Sequence, residues 1–215
     1  IGRNDEVLTV SNAGVPTVAA IRAAGALPVL VDVEPGTMLM SHSLLEAAIS
    51  DQTRAVLPVH LYGQPVDLDA FLAVASRHSL RLVEDCSHAH GAFYRGQHVG
   101  TFGDVGCFSF YPTKNLGAFG DGGICVTDDY AIADRLRGQR MYGYRGDSYS
   151  HEEGLNSRLD SIQAAILRVK LAHLDHAVSE RRELAAYYRE GLSDRGYRMQ
   201  SPTEGGKHAY HLYVI

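Results

Sequence analysis

The stretch "EVLTVSNAGVPTVAAIRAAGALPVLVDV", residues 6–33, holds two short β-branched runs on either side of a helical pattern. "EVLTV" (6–10) and "LPVLVDV" (27–33) are apolar almost without interruption, as strands buried on both faces are. Between them "VPTVAAIRAAG" (15–25) is alanine-rich, opens with proline in its first turn and closes on Gly25, a residue suited to the left-handed cap. A strand, a helix and a strand in this order predict a parallel β-α-β unit.

The same alternation continues outward. "RAVLPVH" (54–60) and "LRLVEDC" (80–86) read as strands, and "SHSLLEAAIS" (41–50) and "VDLDAFLAVASRHS" (66–79) as helices. In the first of these helices Ser41 or Ser43 is a candidate N-cap. Beyond residue 100, "DVGCFSFY" and "GGICVTDD" read as two further strands around a glycine-rich loop. Pro112 donates no ladder hydrogen bond, so the first of these strands must end before it. A helix is expected over 129–140, an exposed loop over 142–154, and two helices from Asn156 to about Leu192, where Leu159, Ile162, Ile166 and Val169 keep helical spacing. The last residues, "HAYHLYVI" (208–215), alternate and are expected to open a strand. The fold class is therefore α/β, a three-layer α-β-α arrangement with a mostly parallel central sheet.

Composition narrows the function. The 215 residues are 45% hydrophobic and 21% charged, with net charge −5 and no basic block, so nucleic acid is not an expected partner. No apolar run approaches membrane-spanning length, so no membrane partner is expected either. Cys86, Cys107 and Cys125 lie in apolar contexts without a CxxC pair, which predicts free thiols in a reducing cytoplasm and no structural metal.

One cation stands out. Lysine occurs only at 114, 170 and 207, against seventeen arginines. Lys114 lies in "GDVGCFSFYPTKNLGAFGDGG" (103–123), and no other Lys or Arg occurs between Arg95 and Arg135. Lysine, unlike arginine, can lose its proton and act as an amine nucleophile or base. Ser109 and Thr113 offer hydroxyls beside it, and the surrounding glycines let backbone N–H groups approach an anion. Upstream, Glu84-Asp85 ends an apolar strand, the side of a parallel sheet where ligands bind. A carboxylate, a hydroxyl and a lysine on successive strand ends point to a pyridoxal phosphate site. The carboxylate holds a proton on the ring nitrogen, the hydroxyl takes the phosphate and the lysine captures the aldehyde. His88 and His90, with Asp85, could also be read as metal ligands, although no further ligand lies near in sequence.

These stretches resemble the DegT/DnrJ/StrS family of sugar aminotransferases. The resemblance covers essentially the whole chain and rests on "DEVLTVSNAGVPTVAAIRAAGALPVLVDVEPGT", "AVLPVHLYGQPVDLDA", "LVEDCSHAHGA", "GTFGDVGCFSFYPTKNLGAFGDGGICVTDD", "GLNSRLDSIQAAIL" and "HAYHLYVI". It implies the fold type I aminotransferase architecture. Residues 1–155 are then the cofactor-binding large domain, 156–192 connecting helices, and 193–215 the start of a smaller α+β C-terminal domain. It also implies a chain that relatives extend at both ends. By the same resemblance Lys114 is the Schiff-base lysine, Asp85 the ring-nitrogen partner and Ser109 a phosphate ligand. His88 falls where relatives often have a glutamine at the cofactor's phenolic oxygen. Asn156 matches an asparagine that reaches the phosphate of the neighbouring subunit, which implies a homodimer with shared sites. The reaction implied moves an amino group from an amino acid, glutamate by resemblance, to a keto group on a nucleotide-linked sugar.

The chain departs from relatives at His88 and at Gly14, near which many have an aromatic that stacks on the ring. A ligand-binding member without turnover and a sugar dehydratase are the alternative readings. The dehydratases carry histidine where Lys114 stands.

Overall fold

The computed structural model describes all 215 residues. Five strands, β1 (Glu6–Val10), β2 (Leu27–Val31), β3 (Thr53–Leu57), β4 (Arg81–Asp85) and β7 (Val105–Ser109), pair in parallel, and β8 (Gly123–Val126) closes the sheet antiparallel to β7. The order is β2-β1-β3-β4-β7-β8, so the crossovers carry the strand ends that matter, β4 and β7, to adjacent positions. A second sheet of three two-residue strands joins β5 (Phe93–Tyr94) to β6 (Gln97–His98) and to β9 (Gly206–Lys207), and so ties the end of the chain to the segment after β4.

Strand alternation divides the core between the two faces. Val7 and Ala55 pack with Ile21 of α1 (Val15–Ala23) on one face. Leu8, Val10, Val56 and Leu82 face the other way, against α2 (His42–Leu45) and α3 (Leu68–Arg77), where Leu45, Leu68 and Phe71 are almost fully buried. Each such side chain contributes roughly 2–3 kcal/mol by leaving water. Helix starts follow their caps: the Ser41 hydroxyl accepts from Leu44 N–H, and the Asp67 carboxylate accepts from Ala70 N–H. The helix expected over 41–50 is shorter, because after Leu45 it tightens into a 3₁₀ turn at Glu46–Ala48.

Helix α4 (Tyr130–Gln139) follows β8, and α5 (Ser161–Leu171) and α6 (Leu174–Leu192) run on almost continuously. Leu167 of α5 packs on Phe110, Leu116 and Ala118, which fixes the loop between β7 and β8 from outside. The alternating end of the chain is not a strand beyond Lys207. Residues 208–215 run as irregular chain, held by Arg181 and Arg182 of α6, which donate to the carbonyls of Tyr210 and His208 at 3.1 and 2.8 Å.

Candidate active site

The last two residues of β4 are both acids, and strand alternation sends them to opposite faces. Glu84 points into the core and is fully buried. Its carboxylate accepts from the N–H groups of Gly100, Phe102 and Gly103 at 2.7–2.8 Å, and from His60 Nε2 at 3.0 Å. His60 Nδ1 accepts from Val66 N–H, so the proton of the neutral ring sits on Nε2. Burial pushes the Glu84 carboxyl up, but the His60 contact and the backbone donors outweigh it and hold it below its ordinary value. His60, Glu84 and Cys86 place their ligand atoms within 4.8 Å of one another. The imidazole and carboxylate are already fully used by hydrogen bonds. This trio is a brace for the β4 terminus, not an open donor set.

Asp85 faces the other way, toward the N-terminal turn of α1. Its Oδ2 accepts from the Thr17 hydroxyl at 2.8 Å and its Oδ1 from Ser87 N–H at 3.0 Å. Asp85 lies in register with Cys107 on β7, so Ser109, two residues on, projects from the same face at the end of the neighbouring strand. Ser109 is half-buried and accepts from Tyr111 N–H at 3.2 Å.

Lys114 follows in the β7–β8 loop. Its N–H bonds the carbonyl of Tyr111 at 2.9 Å, and Ala118 N–H returns to Phe110 at 2.7 Å, which closes a tight excursion around it. Gly117 makes that possible, since a Cβ there would lie 2.4 Å from the Pro112 carbonyl oxygen. The loop is braced by α5: Lys170 donates to the Gly117 carbonyl and Gln163 accepts from Phe119 N–H at 2.8 Å. Lys170 is thereby spent on structure, and Lys207 lies exposed over the Phe93 ring. The Lys114 amine is half-buried. Desolvation lowers its pKa, and the Asp85 carboxylate partly opposes that fall.

Three histidines surround this amine. His88 is pushed down to about 4, by burial first and then by the Lys114 charge, against the pull of Asp85. It is therefore a neutral ring at physiological pH. Its Nδ1 accepts from Tyr62 N–H at 3.2 Å, which leaves the proton on Nε2. His211, in the segment 208–215, lies 4.4 Å from His88 between ring centroids and is lowered to about 3, chiefly by burial. His90 is only 4% exposed, and neither of its ring nitrogens has a hydrogen-bond partner. Burial again, then the neighbouring His98, Lys114 and His88, lower it to about 4. Asn115 donates to the Ala209 carbonyl at 3.0 Å and leaves its buried Oδ1 without a partner.

The structure thus gathers Asp85, His88, Ser109 and Lys114 at the ends of β4 and β7. Asn156 stands apart. It is exposed, forms an isolated bridge with Met141, and its Oδ1 accepts from Arg158 Nε at 2.8 Å. Asp85, His88 and His90 are not gathered as a metal donor set: the ligand atoms that lie within 4.8 Å of one another are those of His60, Glu84 and Cys86, and His88 already presents Nδ1 to the Tyr62 N–H. Sequence reasoning missed Thr17, Asn115, His211 and the Tyr62 backbone. The available signals were a hydroxyl in the first turn of α1 and a histidine inside the quoted "HAYHLYVI".

Comparison with known proteins follows the same lines. Residues 1–215 match the DegT/DnrJ/EryC1/StrS aminotransferase family. The chain is 49% identical over 220 aligned positions to a dTDP-3-amino-3,4,6-trideoxy-alpha-D-glucose transaminase of Micromonospora megalomicea subsp. nigra, covering all of this chain and 59% of that protein. The crystal structure of S. venezuelae DesV in complex with a ketimine intermediate superposes with TM-score 0.96 at 46% identity, over 99% of this chain and 58% of DesV. NtdA of Bacillus subtilis, with bound cofactor PMP, superposes with TM-score 0.90 at 29% identity, over 99% of this chain and 49% of NtdA. The chain spans less than two thirds of the length of each of these relatives. A match along its entire length, on a sheet that sets the acid of β4 beside the lysine loop of β7, makes this chain a member of the DegT/DnrJ/EryC1/StrS aminotransferase family.

Proposed function

We propose that this chain binds pyridoxal 5'-phosphate and transfers an amino group from an amino-acid donor, glutamate, to a keto group of a nucleotide-linked sugar. The observation that carries the reading is one half-buried amine, Lys114, held down in pKa by desolvation and coupled to the carboxylate at the adjoining strand end. Three further observations fit the cofactor. Buried polar atoms of His90, Asn115 and His211 lack partners around that amine, as a polar ligand would require. His88 is neutral with a free Nε2–H, a donor suited to a phenolic oxygen. Ser109 and Asp85 project from one sheet face, hydroxyl and carboxylate side by side.

When bound, pyridoxal phosphate supplies an aldehyde that captures amines and a ring that withdraws electrons. The residues of the chain do the rest. The Lys114 amine holds the cofactor and, once displaced, moves the proton at the substrate's α-carbon. Asp85, oriented by Thr17 and Ser87, keeps a proton on the ring nitrogen. Ser109 binds the phosphate and His88 Nε2–H the phenolic oxygen. The exposed Asn156 serves the phosphate of a second copy, so the working form is a homodimer in the cytoplasm. The sugar substrate follows the Micromonospora relative, a dTDP-3-amino-3,4,6-trideoxy-alpha-D-glucose transaminase. Lysine at 114 disfavours the dehydratase alternative.

The test is transfer of isotopically labelled nitrogen from glutamate to a dTDP-linked keto sugar by the purified protein with added pyridoxal phosphate. Label in the sugar supports the reading. Labelled nitrogen that stays in glutamate across a panel of nucleotide-linked keto sugars contradicts it.

A further inference from the structure

The antiparallel pair β7–β8 sets two cysteines face to face. Cys107 and Cys125 are register partners, with sulfur atoms 3.9 Å apart. Their rung is of the close kind. Phe110 N–H bonds the Gly122 carbonyl across the same pair at 2.7 Å, so hydrogen-bonded rungs fall on even-numbered β7 residues. The Cys107 carbonyl turns instead toward β4, where it accepts from Cys86 N–H at 2.8 Å. A non-hydrogen-bonded antiparallel rung brings Cα atoms to about 4.5 Å, inside the range a disulfide spans.

We propose that Cys107 and Cys125 form a thiol oxidation site, which a peroxide converts to a cross-strand disulfide at the base of the Lys114 loop. Cys125 is exposed on the edge strand of the sheet and Cys107 is half-buried behind it. The contact between the two sulfurs lowers the Cys125 thiol to about 7. Cys107 is raised by that same contact, by burial and by the nearby Asp85 carboxylate. Cys125 is thus the attacking thiolate and Cys107 the resolving thiol. The Cys125 sulfur attacks a peroxide oxygen, the O–O bond breaks, hydroxide leaves, and a sulfenic acid remains. The Cys107 sulfur then displaces that oxygen as water and loses its own proton. Two thiols and one hydrogen peroxide give one disulfide and two waters. The new bond closes a ring that carries both Ser109 and Lys114. Cys86 is fully buried and its thiol is raised well above its ordinary value by burial, so it serves as an internal control.

The experiment treats the purified protein, near pH 7, with an equivalent of hydrogen peroxide, counts free thiols after denaturation, and maps peptides without reduction. The expected result is a fall from three thiols to one, a mass loss of two hydrogens, and a peptide linking Cys107 to Cys125 that dithiothreitol separates. The Cys125→Ser protein keeps both of its thiols under the same treatment. Three surviving thiols in the wild-type protein, oxygen added to Cys125 without the linked peptide, or a disulfide involving Cys86 would overturn the proposal. The wild-type map decides the matter even if the serine variant folds poorly.

Discussion

The backbone N–H of Tyr62 donates to His88 Nδ1 at 3.2 Å, across 26 residues of sequence. Tyr62 sits at φ 62°, a left-handed conformation uncommon for a tyrosine, in the 3₁₀ turn Leu61–Gly63. That turn aims an N–H at one ring nitrogen and so chooses the tautomer, leaving Nε2 as the donor. His88→Gln should keep a donor at this place and hold cofactor affinity within a few-fold. His88→Ala should weaken it by about tenfold, the worth of one hydrogen bond. Equilibrium dialysis with pyridoxal phosphate measures both. An alanine variant that binds as tightly as wild type removes His88 from the site.

Thr17 orients Asp85 through a 2.8 Å bond to the carboxylate. Thr17→Val, close in shape, should cost about 1–2 kcal/mol of stability and weaken cofactor binding several-fold, while Thr17→Ser restores both. Thermal unfolding and cofactor titration read the two effects separately. Equal losses in the serine and valine variants would mean that packing, not the hydroxyl, matters.

The β-α-β alternation was legible because each strand is a short apolar run, so β1 begins and ends where the pattern places it, and because α2 and α3 start at the side-chain caps Ser41 and Asp67. Asp85, Ser109 and Lys114 were legible for the same reason, since strand ends can be counted. Thr17 was not, because its bond to Asp85 crosses 68 residues and nothing local requires it. His211 was hidden because residues 208–215 alternate like a strand. They are held instead by arginines of α6 and by Asn115. The division of labour between Glu84 and Asp85 needs both strand alternation and the position of the Gly100–Gly103 backbone, and only the second is invisible in sequence.

Acid should destabilise the fold through its buried histidines. His90 titrates at about 4 in the folded chain and near 6.5 when unfolded. Between those values the unfolded chain binds more protons, so stability is complete above pH 6.5 and falls as pH drops toward 4. His90 alone accounts for roughly 3 kcal/mol across that window, at ~1.4 kcal/mol per unit of pKa difference. Urea unfolding at a series of pH values checks the slope, and His90→Phe, which cannot titrate, should flatten it. An unchanged slope in that variant would assign the effect elsewhere.

Breaking the Glu84 brace should cost more than any change at the site surface. Glu84→Ala leaves His60 Nε2–H and three backbone donors buried without an acceptor, and should destabilise the protein by about 3–5 kcal/mol. Thermal unfolding measures this directly. A loss under about 1 kcal/mol would show that the network does not hold the β4 terminus.

The central claim is that Lys114, alone among three lysines, bonds the cofactor. The direct measurement is borohydride reduction of the protein with pyridoxal phosphate, followed by peptide mapping, on wild type and Lys114→Arg. The account predicts a reduced adduct on Lys114 in the wild-type protein and none in the variant. An adduct confined to Lys170 or Lys207, or a variant that keeps both the chromophore and turnover, would contradict it.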